Sequence, residues 1–389
     1  MRLRAIETLA ATAISVCCLA LALHATRGGA PEPAPAPTAV EASAQAQTPD
    51  ARPRIEVVFV LDTTGSMSGL LDGAKQKIWA IANRLASGQP RPDLRVGLVA
   101  YRDRGDAYVT RKFDFTGDMD AVYAELLAYQ ADGGGDHPEH VGQGLSDALN
   151  TMQWSGGDKV LRLVFLVGDA PPHDDYQDGT GTVALAAQAH ARGIHVNTIQ
   201  CGADTNTTIA WQAIARAGGG EFTSIAQDGG VVAVATPYDQ QLWQLNGDLA
   251  RTVLSTGSHA EKEASNFKLG NRMSMSVSAA AEAASYSAKS ARMNDEDLVG
   301  MLAGGKQLAD IPNAELPAEM QAMSPEEQTR YVAEAQRKRD ALNAEIRAVS
   351  ARRDEFLRDA ERAAGVDKGF DGQVLDTLRR QASDIGVAY

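Results

Sequence analysis

The hydrophobic pattern changes period repeatedly between residues 55 and 225. Residues 55–61, IEVVFVL, are rich in β-branched apolar positions, which predicts a strand buried on both faces. Leu70, Leu71, Ala74, Ile78, Ile81 and Leu85 then recur at helical spacing. Residues 94–101, 160–167, 194–200 and 221–225 read as further strands, and 122–127, 140–152, 183–191 and 208–217 as helices between them. Residues 108–115, YVTRKFDF, alternate polar and apolar positions, as an edge strand does. Strands alternating with helices predict an α/β fold, a Rossmann-like, mostly parallel sheet with helices on both faces.

After about residue 250 the strand signal stops. The Ala- and Ser-rich stretch 258–300 reads as a loose helix or a linker. Ser324-Pro325-Glu326-Glu327 carries a helix-start signature, a Ser cap with Glu three residues on. The helix it opens runs to about 364, and a last helix spans about 372–382. Ala335, Leu342, Val349 and Phe356 recur every seven residues, flanked by Val332, Ile346 and Ala360, and that face calls for a partner helix. Self-association through this tail is one way to supply it. The charges on the long helix, among them Arg337, Arg339, Arg347, Arg352 and Arg353, read as a solvated face.

The N-terminus is patterned differently. Arg2 and Arg4 precede an uncharged stretch, 8–25, that reads as a cleaved export signal or a retained membrane anchor. Residues 28–53 are rich in Pro and Ala and read as an extended tether. The organisation expected is therefore 1–27 signal or anchor, 28–53 disordered linker, 54–250 α/β domain, 251–323 linker with partial helix, and 324–389 helical C-terminal region. The expected location is the periplasm, free or anchored to the inner membrane.

The formal net charge of −13 makes nucleic acid a poor partner, because an acidic surface repels phosphate backbones. Acidity suits cation binding where carboxylates converge. Ligands of open parallel sheets bind beyond the carboxyl ends of the strands. Asp62 lies just past the first strand, and Asp169 just past the strand at 160–167. Thr64 and Ser66 follow Asp62 where the chain opens into a helix, and the Gly-rich loop 132–140, DGGGDHPEH, adds Asp132, Asp136 and Glu139. Hydroxyl and carboxylate ligands together suit hard divalent ions: Mg²⁺, Ca²⁺ or Mn²⁺. The competing reading of Asp62, Thr64 and Ser66 is a helix-capping cluster. His137, His140 and His173 fall near the same edge, and the lone Cys201 reads as a buried small residue.

Asp62-Thr63-Thr64-Gly65-Ser66 resembles the Asp-x-Ser/Thr-x-Ser motif of the von Willebrand factor type A family, and the resemblance continues through LVGDAPPH and WQAIARAGGGEFTSI. The stretches YRDRGDAYVTRKFDFT and GGGDHPEHVGQGL look like a bacterial branch of that family. The resemblance implies a metal-ion-dependent adhesion site, with Asp62, Thr64, Ser66 and Asp169 as ligands. The family usually takes a Thr from the middle loop; the matching position is carried to Asp136, whose charge would hold the ion more tightly and make it a weaker electrophile. The function so implied is a non-enzymatic, metal-dependent module that binds a protein ligand. The alternatives are a metal-assisted hydrolase, with His137 or His173 as base, and a structural envelope protein assembling through its tail.

Overall fold

The computed structural model describes residues 52–389, except 180, 228–233, 291–292 and 365–369. The signal or anchor and nearly all of the tether lie outside the described residues. Among those described, no helix is long and apolar enough to cross a membrane.

Six strands form one sheet: β1 (Arg54–Asp62), β2 (Asp93–Tyr101), β3 (Thr110–Thr116), β4 (Val160–Gly168), β5 (Ile194–Cys201) and β6 (Gly219–Ile225). Their order is β3-β2-β1-β4-β5-β6. All neighbours are parallel except β3, the alternating strand, which pairs antiparallel with β2 at one edge. The two strands that end in the metal-motif aspartates are direct neighbours, with Leu61 opposite Val167.

The sheet separates two cores. Ile55, Val57, Phe59 and Leu61 point to one face, where α1 (Ser68–Leu85) and α2 (Met119–Ala128) pack. Val58 and Val60 point to the other, under α3 (Val141–Asn150), α4 (Thr182–Ala191) and α5 (Thr205–Ala217). The period-2 alternation of a strand produces this division. Burial on both faces is why β1 reads as continuous rather than alternating.

The second half adds α6 (Asp239–Ala250), α7 (His259–Met273), α8 (Val277–Ser287), α9 (Leu298–Ala303), α10 (Pro325–Ala364) and α11 (Phe370–Ala382). The stretch that reads as loose helix or linker differs most from expectation. Ser258 and Glu261 form a capping box that starts α7, and α8 buries Ala279, Ala280 and Ala283 in the same core as β1. Small side chains let α8 approach closely, so low complexity here marks tight packing. Leu378, Ala382 and Val387 close the same core from the C-terminal end.

The heptad face of α10 finds its partner within the chain: Ile346 and Val349 are buried with Leu242, Leu245 and Leu249 of α6, while Phe356 stays 38% exposed. The solvated-face reading fails for two of its arginines. Arg339 is buried against Asp297, and Arg353 against Asp239 and Glu282. A helix lying in a groove of its own chain can bury residues on its charged side, which periodicity alone does not reveal.

Candidate metal centre

β1 ends in Asp62, which is fully buried. Its Oδ1 accepts from the Thr64 backbone N–H at 2.9 Å and from Thr64 Oγ1 at 2.6 Å, and Ser66 Oγ lies 3.4 Å from Thr64 Oγ1. Asp62 Oδ2 has no hydrogen-bond partner. Burial, reinforced by the nearby Asp169 carboxylate, pushes the Asp62 carboxyl up to about 7 against the lowering effect of the Thr64 hydrogen bonds.

Asp169 is positioned from three sides. Thr207 Oγ1 of α5 donates to its carbonyl at 3.1 Å, Trp211 Nε1 donates to Ala170 O at 3.1 Å, and Gln227 Nε2 donates to Asp169 Oδ2 at 2.6 Å. Asp169 Oδ1 is buried without a partner. A Cβ on Gly168 would come within 2.4 Å of Tyr101 Oη and 3.1 Å of Asp62 Oδ2, so the β4 backbone passes close beside Asp62.

The Gly-rich loop lies along the motif. Asp132 N donates to Thr63 O and Gly65 N to Gly133 O, both at 3.1 Å. Gly134 has φ +74°, and a Cβ there would meet Glu139 Oε1 at 2.9 Å and Thr64 Cβ at 3.2 Å. Glycine therefore satisfies both the left-handed backbone and the close passage between two side chains. Arg102, buried just after β2, ties the loops together by donating to Thr63 O at 3.1 Å and Gln130 O at 2.8 Å.

Glu139 is the loop carboxylate whose charge couples to Asp62 and Asp169. It is buried, its Oε2 has no partner, and burial with repulsion from Asp62, Asp103, Asp106 and Asp169 pushes its carboxyl up to about 9. In the sequence, its place just before Val141, the start of α3, is the signal that sets it apart from Asp136.

Asp136 itself is directed elsewhere. It is 63% exposed at the side chain, with Oδ2 3.5 Å from His173 Nε2. Asp132 is exposed, 3.8 Å from Arg102. His137 reaches toward Asp204, while His140 is buried beside Asp178 and caps α3 by accepting from Gln143 N. Cys201 is buried in the sheet core. In the Arg104-Gly105-Asp106 turn, Arg104 lies over the Tyr176 ring, and Asp106 accepts from the Asp103 and Gly134 backbone N–H groups.

Residues 56–236 match the family model described as von Willebrand factor A domain. Von Willebrand factor A domain-containing protein 7 of Rattus norvegicus is 33% identical over 127 residues, 33% of this chain, and its Homo sapiens counterpart is 32% identical over the same length. The matched part spans about 13% of the length of these relatives. Among solved structures, proximal thread matrix protein 1 from the mussel byssus, with a zinc-occupied MIDAS motif, is 16% identical over 46% of this chain and 43% of its own, with TM-score 0.36. The SpRpn10 VWA domain is 13% identical over 45% of this chain and 89% of its own, with TM-score 0.35. The metal-motif loops thus stand on the strand ends of a von Willebrand factor A domain, carried by residues 56–236 and followed by a helical C-terminal region.

Proposed function

We propose that the rim formed by Asp62, Thr64, Ser66, Asp169 and Glu139 takes a divalent cation, Mg²⁺, Ca²⁺ or Mn²⁺, and docks a protein ligand through it. One observation carries this reading. Asp62 Oδ2, Asp169 Oδ1 and Glu139 Oε2 are all buried without hydrogen-bond partners, and the three carboxylates repel one another. Buried carboxylates without partners are costly unless protonated or met by a cation. The donor set, carboxylate and hydroxyl oxygen, fits a hard ion. When bound, the ion would supply a fixed positive charge that an acidic group of a partner can approach.

In this reading Thr64 and its backbone N–H orient Asp62, Gln227 holds Asp169, and Glu139 adds the extra negative charge assigned from sequence to Asp136. That charge tightens ion binding and weakens the ion as an electrophile, which favours a binding module over a hydrolase. Most of the heptad face of α10 is used inside the chain, which favours the rim over tail-to-tail assembly as the binding surface. The N-terminal pattern supports export, with 28–53 holding the domain off the membrane or serving as a spacer after cleavage. Fractionation of expressing cells tests that part.

The experiment for the site is thermal unfolding of the metal-stripped chain alone and with each of the three ions, for wild type and Asp62→Ala. A stabilisation present in wild type and absent in the variant is the expected result. Equal behaviour of the two, with or without stabilisation, would remove the reading.

A further inference from the structure

The geometry points to a second cation site, separate from the Asp62 rim, built by Asp103, Asp136 and His173 and suited to a borderline transition metal such as Zn²⁺. Each of these residues offers one ligand atom, and the three atoms lie within 4.8 Å of one another. His173 Nε2 is 3.6 Å from Asp103 Oδ2 and 3.5 Å from Asp136 Oδ2. Ligands bound at about 2.0–2.2 Å in tetrahedral array stand roughly 3.4 Å apart, which both histidine–carboxylate spacings approach.

The independent observation is the state of His173. Its side chain is only 8% exposed, and its Nε2 is buried with no hydrogen-bond partner. Nδ1 lies 2.8 Å from Asp175 Oδ1. With the Nδ1 proton given to that carboxylate, the Nε2 lone pair faces two further carboxylate oxygens. Such a lone pair needs a positive centre between them. A carboxylate that orients the outer nitrogen of a metal-bound imidazole is the usual supporting arrangement.

The surroundings hold two of the ligands in place. The Tyr176 ring stacks on His173 with centroids 4.1 Å apart and planes at 8°. The Tyr176 hydroxyl donates to the Asp103 carboxylate, 3.1 and 3.0 Å from its two oxygens. His173 N donates to Glu139 O at 3.0 Å, which fastens the loop after β4 to the Gly-rich loop. Asp103 is buried and Asp136 is exposed, so the site has two fixed ligands and one facing solvent, leaving room for water or an outside ligand. An imidazole nitrogen with two carboxylates favours zinc-like ions over Mg²⁺ or Ca²⁺. The two sites would then select different metals.

The test is calorimetric titration of the chelator-stripped full chain with Zn²⁺ alone, in an Asp62→Ala background where the first site is disabled. One zinc equivalent is expected to bind there. Adding Asp136→Asn or His173→Ala should weaken it at least tenfold. Co²⁺ in place of Zn²⁺ should give a visible absorption band that His173→Ala removes. Asp136 is exposed, so Asp136→Asn decides the matter even if His173→Ala fails to fold. Zinc binding that is absent in the Asp62→Ala chain, or unchanged by Asp136→Asn, would overturn the proposal. Mg²⁺ stabilisation of the wild type reads the first site separately.

Discussion

The sheet and the helical second half both pack through apolar clusters, but the second half carries far more buried ion pairing. The sheet packs mainly through apolar residues on both faces: Val57, Val58, Val60, Leu163 and Val164 are all inaccessible. The second half adds buried ion pairs to its apolar clusters. Arg272 of α7, fully buried, donates to Asp120 Oδ1 of α2 at 2.8 Å, to Asn246 Oδ1 at 2.9 Å and to the Ala283 carbonyl at 3.0 Å. Lys268 pairs with Asp118 at 2.8 Å and with Glu296. Arg353 of α10 joins Asp239 to Glu282. Apolar burial is non-directional and tolerates repacking. A buried ion pair is directional, gains little against an apolar substitute, and is costly when half-removed. Losing one partner of any of these pairs would leave a buried charge uncompensated.

Removing one partner gives the largest expected effect. Arg272→Met should destabilise the chain by about 3–5 kcal/mol, because Asp120 is left buried and uncompensated. Even with Arg272 in place, burial pushes the Asp120 carboxyl up to about 6. The double variant Asp120→Leu/Arg272→Met should recover most of that loss in urea unfolding. No recovery would mean that packing, not charge, fastens α7 to α2.

Phe165→Ala in β4 should cost a similar amount, about 3–5 kcal/mol, through a cavity beside its stacked neighbour Phe59. Here no second truncation should rescue it: Phe59→Ala added to it should deepen the loss. Rescue of the charged pair and not of the aromatic pair would confirm the contrast, and the same outcome for both would dissolve it.

At the proposed metal rim the sheet ends in buried carboxylates whose oxygens lack hydrogen-bond partners. Cation at about a hundredfold excess over its dissociation constant should add about 2.7 kcal/mol to wild type and nothing to Asp62→Ala. The gain should depend on pH with a definite sign. Asp62 and Glu139 keep their protons in the folded chain to about 7 and about 9, whereas the unfolded chain loses them near 4. Between those values the folded state binds more protons, so metal-free stability falls as pH rises through the window. The ion's stabilisation should grow over the same range. A metal effect flat from pH 5 to 8 would argue against these carboxylates as ligands.

The smallest effect belongs to an exposed pair. Arg380 of α11 donates to Glu221 of β6 at the sheet edge, with Arg380 58% exposed at the side chain. Arg380→Ala should cost no more than about 1 kcal/mol, because solvent screens the charges. A larger loss would mean that α11 depends on this contact rather than on Leu378 and Ala382 in the core.

The sequence by itself determined the α/β alternation, the edge position of β3, the metal motif at the end of β1 and the start of α10. Each depends on local chemistry: the period of hydrophobic positions, a strand end followed by small hydroxyls, a Ser cap with its Glu. Only the tertiary structure decided that Asp136 faces His173 while Glu139 lies beside the motif, because a run of glycines leaves the loop's path to its neighbours. Only the fold could show that Ala279, Ala280 and Ala283 are core and that Arg272, Arg339 and Arg353 are buried. Alanine is compatible with any environment, and a buried arginine is defined by a carboxylate distant in sequence. Pairings of that kind carry no local period, so they exist only once the chain has brought the two ends together.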